Sequence, residues 1–203
     1  MPEQSSLHAY LNWAKERIDE MDAALASFED KASERKADLK PKVDQLIVDL
    51  KKRRDEFQAS LKTQAEAGEA AWERAKADME AQWSDFEAQV KTYFDSVGKQ
   101  IEQQQATFKD VAAAQSKAWR EAADKLHDAA SKIAAARRAD VEAALKQMKS
   151  DASEADARLQ KVRQAGGDSW SVLSAALAES RKSFDQANQA AWDALRGSAS
   201  PKS

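Results

Sequence analysis

The feature that most constrains this chain is a single apolar stripe that holds helical phase over most of its length. At 100° per residue, nearly every bulky side chain from Leu7 to Ile133 falls on one face about 120° wide. Trp13 and Val48 are the clear exceptions. A strand would alternate sides with period two, and no run of alternating β-branched residues bounded by turn formers occurs. Five glycines and three prolines in 203 residues leave few places to turn, and the alanine, glutamate, lysine, glutamine and arginine between them favour helix. The expectation is an all-α protein of long amphipathic helices, packed as an elongated coiled-coil bundle.

The stripe keeps its phase past Pro41, Gly68 and Gly98, where a loop would ordinarily reset it. A proline inside a helix costs about 3 kcal/mol and disfavours helical geometry at Lys40, so a break is expected near Pro41. An isolated glycine costs only about 1 kcal/mol, so a helix can continue through Gly68 and Gly98, and the pattern leaves open whether it does. The phase drifts after Arg138, which predicts another break there. Gly166–Gly167 is a stop signal, with Asp168 or Ser169 placed to cap a last helix from about Ser169 to Leu195. Residues 197–203, GSASPKS, read as a disordered tail.

Two halves echo one another. Trp170, Phe184, Trp192 and Leu195 match Trp72, Phe86, Phe94 and Val97 at a spacing of 98, each set preceded by a glycine four positions before its tryptophan. Ala139-Asp140-Val141 matches Ala37-Asp38-Leu39 at 102, and Trp119 matches Trp13 at 106. The spacing changes by four residues each time, about one helical turn, which preserves facing. This predicts a duplication, with units at 1–98 and 99–196.

The segments RIDEMDAAL and KKRRDEFQASLKTQAEAGEAAWERAKADMEAQWSDFEAQV carry a further signal. They resemble a group of small bacterial coiled-coil proteins described as stress-response proteins, in which a charged heptad region runs into a Gly/Ala–Trp segment with a second Trp or Phe about 11 to 14 residues on. Gly68, Trp72, Trp83 and Phe86 take those positions, and the resemblance covers residues 10–97 with an echo in 139–196. It implies a coiled-coil fold and a stress-linked, non-catalytic role; it brings no catalytic residues.

The residues themselves offer little chemistry. There is no cysteine, so thiolate nucleophiles and cysteine-based metal sites are excluded. Neither His8 nor His127 follows a glutamate at Glu-x-x-His spacing, which leaves no ferritin-like metal pair. No phosphate loop, catalytic triad or dinucleotide fingerprint appears. Acid pairs such as Glu16/Glu20 and Asp30/Glu34 sit at helical spacing and read as solvated, the first beside Lys15 and Arg17. The expectation is no enzyme, no cofactor, no metal and no small-molecule substrate. A net charge of −3 argues against nucleic acid, and the basic run Lys51–Arg54 is bracketed by Asp49, Asp55 and Glu56. The start, MPEQSSLHAYLNW, shows no basic region followed by an apolar one, and no run is long enough to span a bilayer, so the cytoplasm is the expected compartment.

Something apolar must cover the stripe. The first reading is self-association into a homo-oligomer, with Ile18, Met21, Leu25, Phe28, Ala32 and Leu39 as a strict heptad seam. The residues expected to carry assembly are Leu25, Phe28, Leu50, Phe57, Leu61, Trp72, Trp83, Phe86, Phe94, Trp119, Trp170 and Trp192. The alternative is an amphipathic-helix protein that coats a lipid, membrane or polymer-granule surface, as apolipoproteins and phasins do. Residues 66–97 carry eight acids against three bases, which disfavours anionic surfaces and leaves neutral ones open.

Overall fold

The computed structural model describes residues 4–31, 39–67, 69–97, 100–132, 135–165 and 169–199. They form six helices and, among the described residues, no strand: α1 (Gln4–Asp30), α2 (Lys40–Ala67), α3 (Glu69–Val97), α4 (Ile101–Ser131), α5 (Ala135–Ala165) and α6 (Trp170–Ala199). The chain is thus an all-α helical bundle. The heptad position Ala32 and the two glycines Gly68 and Gly98 lie outside the described residues.

The phase argument overestimates helix continuity. α2 ends before Gly68 and α3 begins after it, and the two pack against each other. The Ser60–Gln82 and Arg53–Asp85 contacts show that they run antiparallel, so the chain doubles back there. Another helix ends at Val97, and the next begins at Ile101. The stripe keeps phase through these turns because each following helix must point the same face inward, which a hairpin satisfies as well as a straight helix.

The break expected at Pro41 lies earlier. α1 stops at Asp30, and Pro41 is the second residue of α2. There its missing N–H is one that no helix would use, and the Val43 N–H already reaches the Leu39 carbonyl at 3.1 Å. The break expected near Arg138 falls between Ser131 and Ala135, leaving Arg138 inside α5. α5 ends at Ala165, just before Gly166–Gly167. The cap on α6 is supplied from elsewhere. Gln104 of α4 accepts the Trp170 N–H at 2.8 Å, while the Ser169 carbonyl accepts the first helical bonds. Asp168 lies outside the described residues. α6 continues to Ala199, so the first three residues of the expected tail are helical.

Each half holds three helices. Contacts such as Ser27–Thr107 and Lys15–Glu121 set α4 antiparallel to α1, and Asn12–Asn188 and Arg17–Asp185 do the same for α6. Tyr10–Met79 and Phe28–Tyr93 set α3 parallel to α1. α1 therefore packs on α2, α3, α4 and α6 at once, which makes it the central helix. Of the positions that echo one another in sequence, Phe86 with Phe184, Phe94 with Trp192, and Trp13 with Trp119 are all buried, whereas Val97 and Val141 are buried and their counterparts Leu195 and Leu39 only half-buried.

Two cores result. One is rich in rings and large aliphatics from α1, α2 and α3, joined by Phe108 and Val111 of α4 and Leu173 and Leu177 of α6. The other lies among α4, α5 and α6, where Trp119, Phe184 and Trp192 sit among alanines that let the helices approach closely. Burying a large apolar side chain contributes about 2–3 kcal/mol, so these rings dominate the packing energy.

Candidate functional site

The site begins with the crowding of α1. With neighbours on four sides, α1 keeps only a narrow solvated strip through Lys15, Asp19, Asp22, Ala26 and Glu29, and the side opposite the stripe is buried as well. That side carries Trp13, the exception to the stripe, together with Glu16, Arg17 and Glu20. Glu16, Arg17 and Glu20 are 0%, 3% and 2% exposed. The expectation of a solvated Glu16/Glu20 pair is therefore overturned. α4 and α6 pack over these acids, and only Lys15 keeps its head in water, pairing with Asp19 at 2.9 Å and Glu121 at 2.6 Å.

Buried charges need partners, and α6 supplies Arg181 and Asp185 on the face it turns to α1. Arg181 donates from Nε and Nη2 to the two oxygens of Glu20, at 3.1 and 2.8 Å, and from Nη1 to Glu87 at 2.8 Å. The two-pronged bond to Glu20 matches the planar fork of a guanidinium to a carboxylate. Gln115 of α4 adds a bond to Glu20 at 3.2 Å and one to the Leu177 carbonyl at 3.1 Å. Arg17 donates to Asp185 at 2.7 Å and pairs with Glu16. Both guanidiniums lie over the Trp83 ring, Arg181 at 4.6 Å and Arg17 at 5.5 Å from its centroid. A cation over an aromatic face gains most when both are out of water.

The two arginines differ electrically. Burial works against the charge of Arg181, but Glu20 and Glu87 outweigh it and hold the group above an ordinary arginine. For Arg17 burial prevails over the pull of Asp185 and brings it down to about 10. Burial likewise pushes Asp185 above the usual carboxylate range despite Arg17.

This cluster closes one end of a groove. α3 and α6 run antiparallel, bridged by Arg181–Glu87 at one end and by the Phe94 and Trp170 rings, 4.5 Å apart, at the other. Between these bridges the helices stand apart around a cavity of about 940 Å³, floored by α1 and α4. Trp83, Phe86, Val90 and Phe94 line it from α3, Leu177 from α6 and Val111 from α4. Its volume is at the upper end of the roughly 300–1,000 Å³ typical of small-molecule sites. A second hollow, of about 420 Å³ between α5 and α6, is lined by alanines, Met148 and charged side chains and carries no ring.

The residues expected to carry assembly are found inside the single chain. Leu25, Phe28, Leu50, Phe57, Trp83, Phe86, Phe94, Trp119 and Trp192 are buried. Leu61 and Trp170 are half-buried against the first core, and the side chain of Trp72 lies outside the described residues. Of these, Trp83, Phe86, Phe94 and Trp170 meet at the groove. Leu50, Phe57 and Leu61 belong to α2 and stay away from it. The buried charges Glu20 and Arg181 were missed from sequence, although Trp13 signals them: a tryptophan off the stripe marks a second buried face.

The remaining candidates have ordinary partners. Lys51 pairs with Glu29, Lys52 with Glu56 at 3.8 Å, Arg53 with Asp85 at 3.2 Å, and Arg54 with Asp22 at 2.9 Å. His127 is exposed, and His8 stacks on Trp192 at 5.0 Å between centroids. Among the described residues no group of three or more histidines and acids could hold a metal, and no helix is long and apolar enough to cross a membrane. In comparison with known proteins, no family model, no curated protein and no solved structure matches the chain.

Proposed function

We propose that this protein is a non-enzymatic interaction protein that engages a neutral, lipid-like apolar surface through the seam between α3 and α6. The observation that carries this reading is the groove itself: a large, ring-lined opening placed where the stripe is richest in aromatic residues. Away from the groove, the described rings of Tyr10, Trp13, Phe28, Phe57, Tyr93, Phe108, Trp119, Phe184 and Trp192 are buried. The buried cluster of ionisable groups at its end supports a binding role over catalysis, because the Arg181 guanidinium is tied to Glu20 and Glu87. The acidic excess on α3 favours a neutral surface over an anionic one. A protective role, of the stress-linked kind that the sequence resemblance implies, then consists in shielding apolar material from water.

Self-association through the stripe receives less support. Its rings are already covered within one chain, and the large apolar residues left exposed among those described, Val48, Ile101 and Val172, belong to three separate helices.

The test uses the absence of native cysteine. Ala88 of α3 and Ala178 of α6 are both exposed on the lips of the groove. The Ala88→Cys/Ala178→Cys protein, joined by a bis-maleimide, holds the seam shut. Untreated protein is expected to float with phosphatidylcholine vesicles and the joined protein to stay behind. If the untreated protein fails to float, the proposal is wrong.

A further inference from the structure

The two ends of the groove differ, and the difference identifies what lies along it. At one end stand Arg181 and Glu87; at the other, the Phe94 and Trp170 rings, tilted against each other. From Arg181 to Trp170 is eleven residues of α6, or about 16 Å at 1.5 Å per residue. That is about half of the roughly 30 Å hydrocarbon core of a bilayer, the reach of one acyl chain. Between the ends Leu177 and Val111 line the groove with the α3 ladder of Trp83, Phe86 and Val90, and Lys91 and Ser174 add polar groups beside them.

The charges at the polar end specify the head of such a chain. Arg181 is 8% exposed, and its fork toward Glu20 lies inside the bundle. Its remaining partner, Glu87, stands on α3 with its side chain 44% exposed and accepts the Arg181 Nη1–H at 2.8 Å. Without Glu87, the charged groups of the groove balance: Arg181 and Lys91 against Glu20 and Asp95, with Lys91 and Asp95 paired to each other at 2.6 Å. Glu87 is therefore the one negative charge in excess, and of the two partners of Arg181 it is the exchangeable one, because it stands at the surface while Glu20 is buried. A carboxylate arriving from within the groove would take the place of Glu87 on Arg181 and release Glu87 to water.

We infer that the α3–α6 groove binds a single long-chain carboxylate as a monomer, its chain along Trp83, Phe86, Val90 and Leu177 and its head on Arg181 in place of Glu87. The inference rests on the groove being a site for lipid-like partners, but it requires neither a surface nor an opened seam.

Equilibrium dialysis of radiolabelled oleate below its aggregation concentration, against the full chain at pH 8, tests it with oleyl alcohol as the neutral counterpart. Expected are saturation at one oleate per chain and binding of oleyl alcohol weaker by roughly tenfold, the loss of one charge-assisted contact. Glu87→Gln removes the internal competitor at an exposed position; it is expected to tighten oleate by several-fold and to leave oleyl alcohol unchanged. Ala178→Trp, at an exposed lip, is expected to abolish binding of both while circular dichroism stays native. Equal binding of acid and alcohol, no response to Glu87→Gln, or full binding by Ala178→Trp would each overturn the assignment. Because the oleate is monomeric, failure to bind it leaves vesicle flotation to be judged separately. Oleate bound by protein that does not float would sink only the surface reading.

Discussion

At the residue scale, the buried charges are where stability is most sensitive. Glu20 is held by Arg181 and Gln115 in an interior position, so removing its charge strands a guanidinium out of water. Glu20→Gln is expected to lower the unfolding free energy by about 3–5 kcal/mol in denaturant titration. Glu87→Gln touches the same arginine from an exposed position and should cost less than about 1 kcal/mol. Equal effects would mean that the cluster is more hydrated than its geometry indicates. Tyr10 offers a second handle. Burial first, and then Glu80, push its phenol from 10.0 up to about 12, and its hydroxyl lies 2.6 Å from the sulfur of Met79. A folded pKa above the unfolded one means that this contribution is whole below about pH 10 and is lost as pH climbs through about 12. Unfolding free energies of wild type and Tyr10→Phe should therefore converge as pH rises across that window. Curves that stay parallel would refute the shift.

At the element scale, the placement of Pro41 makes a sharp contrast. In the first turn of α2 it replaces an N–H that no helix uses, so Pro41→Ala should change stability by less than about 1 kcal/mol. Gln58→Pro, at an exposed position in the middle of the same helix, should cost about 3 kcal/mol. Urea unfolding of the pair decides between this placement and a proline that interrupts a longer helix. The α6 start shows how an element can depend on another for its cap. Gln104 reaches from α4 to the Trp170 N–H, a bond between residues 66 positions apart that no local motif encodes.

At the scale of the whole molecule, one chain covers its own stripe. Sedimentation equilibrium is expected to return the chain mass of 22.4 kDa, and a multiple of it would restore the self-association reading. Trp83→Ala should lower the melting temperature, because it removes a ring from beneath two guanidiniums, without altering that mass.

The helical class was legible in the sequence because side-chain periodicity is a local property: a stripe at helical spacing and a shortage of turn residues suffice for it. The same locality explains the errors. Helical phase does not distinguish a straight helix from a hairpin whose next arm turns the same face inward, so the chain reversal beside Gly68 was invisible. Likewise Glu16 and Glu20, charged and flanked by Lys15 and Arg17, have every local mark of a solvated face. They are buried because α1 was assigned the centre of the bundle, and only the packing of α2, α3, α4 and α6 around it made that assignment. The groove belongs to the same level. Its rings are readable one by one in α3, but the gap between α3 and α6 exists only once helices distant in sequence have taken their places. Sequence by itself therefore determined what each segment would become, since that depends on neighbours along the chain. Tertiary structure alone decided which faces meet water, because burial is a property of what lies opposite.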